Sequence, residues 1–297
     1  MIQAWLSAFR LRTLPLALAS IGMGSFIAAS DGQFRGIILG LAALTTIFLQ
    51  ILSNLANDYG DSIHGADSQD RQGPQRAVQS GQITPEAMKR AMYLFGGLSF
   101  VSGISLLWVA AENWQTFVGF LIVGILAIIA AVTYTAGSRP YGYAGLGDVS
   151  VLLFFGWVGV MGTYFLHTGH FYPLLLLPAS SCGLFAVAVL NVNNIRDIES
   201  DQLAGKKSIP VRIGRPSAVR YHWTILLIGW LCAIGFVMMR YQTPWQWLFI
   251  LTLPLFWVNA RAVATKTQAS ELDPFLKQMV LGTLAFVLTF GIGQLVG

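Results

Sequence analysis

Charged residues are scarce in this chain of 297 amino acids, where Asp, Glu, Lys and Arg together make up 10% of the sequence. Soluble domains carry about 25% charged residues, so a secreted enzyme, a DNA-binding domain and a disordered scaffold are excluded. Cysteine is almost absent: Cys182 and Cys232 both lie inside apolar runs, which excludes a disulfide framework and a zinc site built from cysteine. Apolar residues, in contrast, make up 55% of the chain. They occur in runs of about 20, the length that crosses a bilayer as a helix.

The apolar runs predict an all-α, polytopic membrane protein with about nine transmembrane helices in one bundle. Continuous runs such as Phe120–Val132 exclude an outer-membrane barrel, whose strands alternate apolar and polar residues. The predicted spans are Thr13–Ser30, Gly36–Ala56, Ala91–Ala111, Thr116–Ala136, Leu146–Leu166, Phe171–Asn191, Trp223–Met239, Pro244–Val263 and Gln278–Val296.

The basic residues predict the orientation of these spans. Of the 18 Lys and Arg residues, all except Arg35 and Arg240 fall on one side. Because positive residues favour the cytoplasmic side, the N-terminus is expected in the cytoplasm and the C-terminus outside. The net charge of +5 then reflects membrane orientation, and no nucleic-acid partner is expected. The two cytoplasmic connections after spans two and six run to about 30 residues, a length typical of functional loops.

Two acidic segments follow spans two and six and match each other. The first reads Asn57-Asp58-x-x-Asp61 and the second reads Asn193-Asn194-x-x-Asp197. The copies are four spans apart, so both emerge on the same side of the membrane, whereas inverted-repeat transporters need the opposite arrangement. We interpret residues 1–297 as a single transmembrane domain with a weak internal repeat, about 1–136 and 137–270.

The spacing of the acidic residues predicts a metal site. Residues three or four apart share one face of a helix, so Asp58 with Asp61, and Asp197 with Asp201, form two acidic pairs. Facing each other, these pairs repel unless a cation lies between them, and Mg²⁺, which takes carboxylate, water and phosphate oxygens, fits best. Neighbouring amides add neutral oxygen ligands or hydrogen-bond donors: Asn54, Asn57, Asn193 and Asn194. The alternative is that the carboxylates are only solvated span ends, since Asp at a membrane boundary costs little.

Basic residues follow both acidic segments and suit an anionic substrate. They are Arg71, Arg76, Lys206 and Lys207. Arginine binds phosphate through two hydrogen bonds and lysine acts as a point charge, although positive-inside bias alone also places basic residues here. Arg139 lies in a Gly- and Pro-containing segment from Tyr134 to Asp148, which is typical of a shaped loop. Its aromatic residues, Tyr134, Tyr141 and Tyr143, suit packing on a ring or a cation.

These motifs resemble those of the UbiA-type superfamily of intramembrane aromatic prenyltransferases, nine-helix bundles with Asn-Asp-x-x-Asp-x-x-x-Asp after span two and Asp-x-x-x-Asp after span six. Here the first motif reads Asn57-Asp58-x-x-Asp61-x-x-x-Gly65, followed by Asp67, and the second reads Asp197-x-x-x-Asp201. The Gly variant, the segment from Tyr134 to Asp148, and Arg12-Thr13-Leu14-Pro15 resemble the branch that prenylates 1,4-dihydroxy-2-naphthoate. The resemblance covers essentially the whole chain.

The resemblance implies that a polyprenyl chain passes from polyprenyl diphosphate to the carboxyl-bearing carbon of 1,4-dihydroxy-2-naphthoate. CO₂ and diphosphate are lost, and demethylmenaquinone is formed for menaquinone biosynthesis. It also implies Mg²⁺ as cofactor, a multi-pass location in a bacterial inner (cytoplasmic) membrane, substrates in contact with the lipid bilayer, and no obligatory protein partner.

The resemblance also assigns roles to residues. The catalytic residues are Asp58, Asp61, Asp197 and Asp201, and the metal ligands are these four with Asn57, Asp67 and Asn193. Diphosphate binding falls to Arg71, Arg76, Arg139, Lys206, Lys207 and Tyr134, and acceptor binding to Arg12, Asn54, Tyr141 and Tyr143. Many members carry Tyr-x-x-x-Lys at the end of span four, where this chain has Tyr134-x-x-x-Ser138-Arg139, so the lysine's role is transferred to Arg139 by proximity. Arg10 is an equal alternative to Arg12 as partner of the acceptor carboxylate.

Two alternative functions stay open at this point. One is a prenyltransferase with another aromatic acceptor, such as 4-hydroxybenzoate. The other is a cation-coupled transporter that uses the Asp pairs as an ion path, but such transporters need carboxylates near the middle of the membrane and usually inverted repeats.

Overall fold

The computed structural model describes residues 2–64 and 76–296. Within these ranges the chain contains no strand and forms nine helices long and apolar enough to cross a membrane, which confirms the all-α, nine-span prediction. In chain order the helices are α1 (Ile2–Ser30), α2 (Gly36–Ile63), α3 (Pro85–Ala110), α4 (Trp114–Thr133), α5 (Gly147–Thr168), α6 (Pro173–Arg196), α7 (Arg215–Met239), α8 (Pro244–Thr265) and α9 (Ala269–Val296).

Several helices extend beyond the apolar runs that predict them. The most important extension is in α2, which continues from the predicted end at Ala56 to Ile63 and carries the first acidic motif within its last turns. In this extension Gly60 lies directly against the backbone of Thr135. Tertiary packing therefore holds these polar turns in the helix, as it does for most helical segments in proteins.

The second acidic motif lies at a break in the helix. α6 ends at Arg196, Asp197 occupies the break, and a short helix, Ile198–Leu203, carries Asp201. A second short helix, Ile209–Ile213, precedes α7. The connection between α6 and α7 is thus partly helical, and the backbone amide of Asp201 donates to the carbonyl of Asp197, one turn earlier, at 2.8 Å.

The core of the bundle surrounds α6, which packs against α1, α5, α7 and α9. Its Phe185 is fully buried, and the ring centroid lies 4.5 Å from that of Phe256 and 4.9 Å from that of Phe286. Tilted and edge-on ring pairs of this kind each add about 0.5–1.5 kcal/mol beyond the area that they bury. The second acidic motif therefore extends from a densely packed helix.

The opposite side of the bundle is more open. α2, α3 and α4 pack on one another, but no residue of α4 is buried. Across from α4, helix α5 contains a π-helical segment, Leu152–Met161. Segments of π-helix are rare and occur frequently at functional sites. Here the segment lines an apolar cavity that α1, α2, α3 and α4 also line.

Candidate active site

The two acidic motifs meet at one end of the bundle, which we call the acidic end. Lys206 joins them, with its Nζ 3.2 Å from Oδ1 of Asp61 and 3.3 Å from Oδ1 of Asp201. Both carboxylates are buried, Asp61 at 2% and Asp201 at 7% exposed. A cation therefore already lies between the two motifs, as their charges require, and it is a lysine side chain.

Asp61 is the most connected carboxylate of the site. Besides Lys206, its Oδ2 accepts a hydrogen bond from Nη2 of Arg76 at 2.7 Å, and its Oδ1 accepts one from the Tyr143 phenol at 2.9 Å. The Lys206 ammonium also lies over the Tyr143 ring, 5.0 Å from its centroid. Charge-assisted hydrogen bonds to a buried carboxylate are about twice as strong as neutral ones, so these contacts fix Asp61 in place.

Asp58, one helical turn earlier on α2, faces a different set of groups. Its carboxylate accepts backbone hydrogen bonds from Ala77 at 3.2 Å and from Val78 at 3.5 Å. Asp58 is 2% exposed and lines a polar cavity together with Arg76. Asp58 and Asp61 thus lie three residues apart on one helix, as predicted, and their carboxylates contact different donors.

Asp197 is held by its neighbour in sequence. Arg196 donates from Nε to Oδ1 of Asp197 at 2.7 Å and from Nη2 to Oδ2 at 2.8 Å. The same guanidinium reaches Oδ1 of Asn193 at 2.9 Å and Oδ1 of Asp273, on α9, at 2.5 Å. Both carboxylate oxygens of Asp197 and the amide oxygen of Asn193 are thus engaged by one arginine.

Burial and charge oppose each other at the junction of the motifs. Burial raises the pKa of Asp201 to about 6, although the adjacent Lys206 lowers it. For Lys206, burial favours a lower pKa, but the charges of Asp61 and Asp201 outweigh it and raise the pKa above its ordinary value. Lys206 is therefore charged at neutral pH.

The donor set suits a divalent cation that takes only part of its coordination shell from the protein. Within residues 2–64 and 76–296, no three His, Cys, Asp or Glu side chains lie close enough together to hold a metal by themselves. Mg²⁺ in proteins commonly takes only one or two carboxylates and completes its shell with water and phosphate oxygens. The oxygens of Asp61 and Asp201 already converge on one cation, so the chemistry and burial of these groups suit such an ion.

A polar cavity of about 350 Å³ adjoins the acidic motifs. Its charged and amide lining residues are Arg10, Arg12, Asp58, Arg76, Asn193 and Arg196. Arg76 and Arg196 are paired with carboxylates of the motifs and of α9, and Arg10 and Arg12 add two further guanidinium groups to the lining. Such a cavity suits an anionic group, because guanidinium groups bind carboxylate and phosphate through two parallel hydrogen bonds.

Arg10, which lines this cavity, has a strained backbone conformation. Arg10 has φ 48° and ψ 54°, and it is the only non-glycine residue with positive φ among those described. This left-handed conformation costs about 1–2 kcal/mol in an L-residue. α1 breaks here, because its first part, Ile2–Phe9, ends and a short turn, Leu11–Thr13, leads into Leu14–Ser30. The amide of Asn54 supports this break by donating to the carbonyl of Phe9 at 2.9 Å and to the hydroxyl of Thr13 at 3.1 Å. Strain of this kind often accompanies functional sites.

An apolar cavity of about 380 Å³ extends from the acidic end into the bundle. Asn57, Tyr134 and Tyr141 line its polar end, and Leu107 and Leu166 line its far end. Tyr134 and Tyr141 pack edge to face with ring centroids 5.3 Å apart. Burial raises the pKa of both phenols, so both are neutral at physiological pH. The cavity can therefore shelter an apolar chain whose polar head lies at the acidic motifs.

Several of the predicted site residues lie at these cavities. Asn57 lines the apolar cavity and accepts a hydrogen bond from Thr135 at 2.9 Å, and Arg12 lines the polar cavity with its side chain exposed. Tyr141 also lines the apolar cavity, where its phenol contacts Ser150 at 2.9 Å. Tyr143 lies at the motifs themselves, against Asp61.

Other predicted residues are placed differently by the structure. Asn54 supports the break in α1, and its Oδ1 accepts from Gln50, so its amide is not available to an acceptor. Arg139 is exposed, and in the described part of the chain it forms no ion pair with either motif. Lys207 is also exposed and contributes backbone contacts with Tyr143 and Arg212. Asp67 and Arg71 lie outside the described residues.

Two features of the site were missed by sequence reasoning. Arg196 received no role, although a charged residue in the last turn of an apolar span is costly and points to a partner. Asp148 was also missed: it is buried at the start of α5 and accepts a hydrogen bond from the Tyr221 phenol at 2.8 Å. Its place in the Gly-rich segment after Tyr134 was the available signal.

The structure is an all-helical membrane bundle in which buried carboxylates and their basic partners lie beside an apolar cavity. These features are typical of an intramembrane protein that binds a molecule with an anionic head and an apolar tail. The UbiA prenyltransferase family model matches residues 17–293, and the chain belongs to this family. It is 48% identical over 291 residues, 98% of this chain and 94% of the relative, to a protein of Escherichia coli (strain K12) named 1,4-dihydroxy-2-naphthoate octaprenyltransferase.

A second relative and a solved structure agree with this assignment. A protein of Haemophilus influenzae with the same name is 45% identical over 298 residues, which cover 100% of this chain and 97% of the relative. The fold is similar to that of a UbiA homolog from Archaeoglobus fulgidus bound to GPP and Mg²⁺, with a TM-score of 0.66 at 16% identity, covering 99% of this chain and 100% of that one. At this identity the similarity is one of fold.

Proposed function

We propose that this protein transfers a polyprenyl chain from polyprenyl diphosphate to 1,4-dihydroxy-2-naphthoate. The bond between the first prenyl carbon and the diphosphate oxygen breaks, and the electron pair leaves with diphosphate. The carboxyl-bearing ring carbon forms the new carbon–carbon bond, and CO₂ leaves with its bonding electrons returned to the ring. The product is the hydroquinone form of demethylmenaquinone. The observation that carries this proposal is the meeting of two acidic motifs at the mouth of an apolar cavity, in a chain that closely matches relatives named for this reaction.

The diphosphate is proposed to bind at the junction of the two motifs. Asp61 and Asp201, with Asp58 and Asp197 of the same motifs, would hold Mg²⁺, which would supply a Lewis acid for the charge on the leaving diphosphate. Arg76 and Lys206 are already at this junction and provide the cations that contact the remaining phosphate oxygens. These cations stabilise the negative charge that develops on the diphosphate as it leaves. Electrostatic stabilisation of this kind is commonly the largest contribution to catalysis.

The acceptor is proposed to place its carboxylate in the polar cavity. Arg10 and Arg12 line this cavity from the break in α1, opposite Asn193 and Arg196 from the second motif. Both arginines stay open as the partner of the carboxylate. The ring would then lie between this cavity and the polar end of the apolar cavity, next to Asn57 and the prenyl carbon that it attacks.

The apolar cavity is proposed to hold the prenyl tail and to keep water from the reacting carbon. Most of its lining residues are aliphatic, aromatic or glycine, and the polar ones beyond Asn57, Tyr134 and Tyr141 are Gln50 and small hydroxyl residues such as Thr45, Ser99 and Thr163. Water exclusion matters because an allylic cation that meets water is lost to hydrolysis. The neutral phenols at the entrance add polar contacts without adding a nucleophilic anion.

The acidic end is proposed to face the cytoplasm of a bacterial cell, with the protein in the inner membrane. All Lys and Arg residues except Arg35 and Arg240 belong to the side of the predicted spans that carries the motifs. This asymmetry supports a cytoplasmic N-terminus and an external C-terminus.

A panel of acceptors tests the proposal. Purified protein in detergent receives octaprenyl diphosphate and Mg²⁺ with either 1,4-dihydroxy-2-naphthoate or 4-hydroxybenzoate, each labelled with ¹⁴C in the carboxyl group. We expect prenylated product and released ¹⁴CO₂ from the naphthoate only. Product from 4-hydroxybenzoate that keeps its label, with none from the naphthoate, would contradict the acceptor assignment, and no product from either would contradict the enzyme assignment.

A further inference from the structure

The backbone of Lys206 is held by the end of the short helix Ile198–Leu203. Gly205 has φ 72°, the left-handed conformation that glycine adopts readily. Its amide donates to the carbonyl of Gln202 at 3.1 Å, and the amide of Lys206 donates to the carbonyl of Asp201 at 2.9 Å. Together these bonds form a Schellman motif, which ends a helix and satisfies its last carbonyls. Lys206 is therefore tied to Asp201 through its backbone as well as through its side chain.

The next residue, Lys207, joins this turn to the segment that carries Tyr143. Its backbone amide donates to the carbonyl of Tyr143 at 2.9 Å. Gly145 permits the close approach, because a Cβ added there would overlap the carbonyl oxygen of Lys207 and its φ of 79° favours glycine. The side chains of Lys206 and Tyr143 both contact Oδ1 of Asp61, at 3.2 Å and 2.9 Å. Both of these contacts to Asp61 thus start from two backbone segments that are bonded to each other.

Arg212, on the short helix Ile209–Ile213, links the same two segments through its side chain. Its Nε donates to the carbonyl of Lys207 at 2.8 Å, and its Nη2 donates to the carbonyl of Ala144 at 2.5 Å. A guanidinium group presents its donors in a fixed planar fork, so it can hold two carbonyls at once. The positive-inside preference accounts for a basic residue at this position, but it requires only the charge and not the fork. The two bonds therefore indicate a role that lysine cannot fill.

We propose that Arg212 is a positioning residue for the reaction. By holding the two backbone segments together, it keeps the side chains of Lys206 and Tyr143 in contact with Asp61. Arg212 lines neither the polar nor the apolar cavity, so it acts through these two side chains rather than on a substrate. The inference rests on the proposed function, since it takes the junction of the two motifs as the diphosphate site. A small displacement of groups that contact the reacting part of a substrate is enough to lower the rate.

The test compares Arg212→Lys with the matched control Arg220→Lys. Arg212→Lys keeps the positive charge that the cytoplasmic side favours but loses the planar fork. Arg220 is also exposed, lies in the first turns of α7 and lines neither cavity. Initial rates of diphosphate release are measured with octaprenyl diphosphate and 1,4-dihydroxy-2-naphthoate, each varied in turn, and melting temperatures in detergent verify folding. Arg212→Gln replaces Arg212→Lys if the lysine variant does not fold.

We expect Arg212→Lys to lower kcat/KM for octaprenyl diphosphate by about five-fold or more. KM for the naphthoate is expected to change by less than about two-fold, because the proposed acceptor cavity does not include this junction. Arg220→Lys is expected to change neither quantity. An unchanged kcat/KM in folded Arg212→Lys, or an equal rise of KM for both substrates, would overturn the inference and leave the proposed function standing.

A double-mutant cycle tests whether Arg212 acts through the two side chains. In the background Lys206→Gln/Tyr143→Phe, the groups that Arg212 positions are absent, so adding Arg212→Lys is expected to change kcat/KM by less than about two-fold. The same loss as in the wild-type background would overturn the inference. If that background does not fold, Tyr143→Phe alone replaces it, and the loss caused by Arg212→Lys is expected to be smaller there than in wild type. A wild-type protein that releases no diphosphate from these substrates would overturn the proposed function and the inference with it.

Discussion

Arg196 forms a two-pronged ion pair with Asp197, the next residue in the chain, through Nε to Oδ1 at 2.7 Å and Nη2 to Oδ2 at 2.8 Å. The pair lies where α6 breaks, and the third nitrogen of the guanidinium reaches Asp273 on α9. One side chain therefore orients a carboxylate of the second motif and ties it to the last helix. A buried charge without a partner is strongly destabilising, so these contacts allow the guanidinium of Arg196 to be buried.

Replacing Arg196 by Lys tests whether this orientation matters for catalysis. Lys keeps the positive charge but cannot form the fork, so Asp197 loses at least one charge-assisted hydrogen bond. We expect kcat/KM to fall by roughly 10- to 100-fold, corresponding to about 1.5–3 kcal/mol. Arg220→Lys on exposed surface is the control. A variant with wild-type rates of diphosphate release would show that the fork is not needed.

Lys206 and Lys207 are adjacent in sequence, yet the structure predicts different outcomes for their substitution. Lys206 bridges Asp61 and Asp201, whereas Lys207 is exposed. Lys206→Gln leaves two buried carboxylates without their shared cation, and we expect at least about a ten-fold loss of kcat/KM and a lower melting temperature in the metal-free protein. Lys207→Gln is expected to change kcat/KM by less than about three-fold. Similar losses in the two variants would contradict the placement of Lys206.

Gly60 permits close contact between α2 and the segment after α4. A Cβ at this position would overlap the carbonyl of Thr135 and approach the amide nitrogen of Ala136 at 2.8 Å. Gly60→Ala is therefore expected to displace the turn that carries Asp58 and Asp61, and to lower the free energy of unfolding by about 1–3 kcal/mol. Gly97→Ala on α3 is the control, since an added Cβ there meets nothing within 4 Å. Melting temperatures in detergent measure both, and equal stabilities would contradict the close approach.

Asp31 connects three helices at the end of the bundle opposite the motifs. It accepts hydrogen bonds from Nη2 of Arg240 at 2.6 Å and from the Tyr164 phenol at 2.7 Å. Asp31→Asn removes the charge that both bonds use, so the free energy of unfolding is expected to fall by about 1.5–3 kcal/mol. Activity per folded molecule should stay unchanged, because these contacts lie far from the acidic end. Loss of activity without loss of stability would assign this cluster a role that the account does not include.

The number of spans could be predicted from the sequence, because a continuous apolar run in a bilayer is stable only as a helix. The residues at which the helices end could not be predicted from the sequence. Apolar sequence stops at Ala56, but α2 continues to Ile63 because Gly60 packs on Thr135. The break at Asp197 was also missed; at this point Arg196 bonds to Asp273 on α9, a long-range contact that the local sequence does not show.

The candidate site was predicted as a set of residue types and corrected in its particular members. Spacing predicted both Asp pairs, but it could not distinguish Lys206 from Lys207. The two lysines are adjacent in sequence and have the same charge, and only the fold shows that one side chain is directed at the carboxylates and the other is exposed. Arg139 was chosen by its proximity to Tyr134 in sequence, and the structure leaves it exposed. Charge patterning thus predicts that the two motifs lie at the same end of the bundle, where Lys206 joins them, whereas the side-chain partners require the fold.

The most direct test of the central claim is product formation by wild type and Asp61→Asn. Each purified protein is given 1,4-dihydroxy-2-naphthoate and octaprenyl diphosphate with Mg²⁺ or with EDTA, and Asp31→Asn serves as the matched substitution at the opposite end. We predict Mg²⁺-dependent prenylated product from wild type and Asp31→Asn, and a loss of about 100-fold or more in folded Asp61→Asn. Product formation that survives in Asp61→Asn, or that continues undiminished in EDTA, would contradict the account.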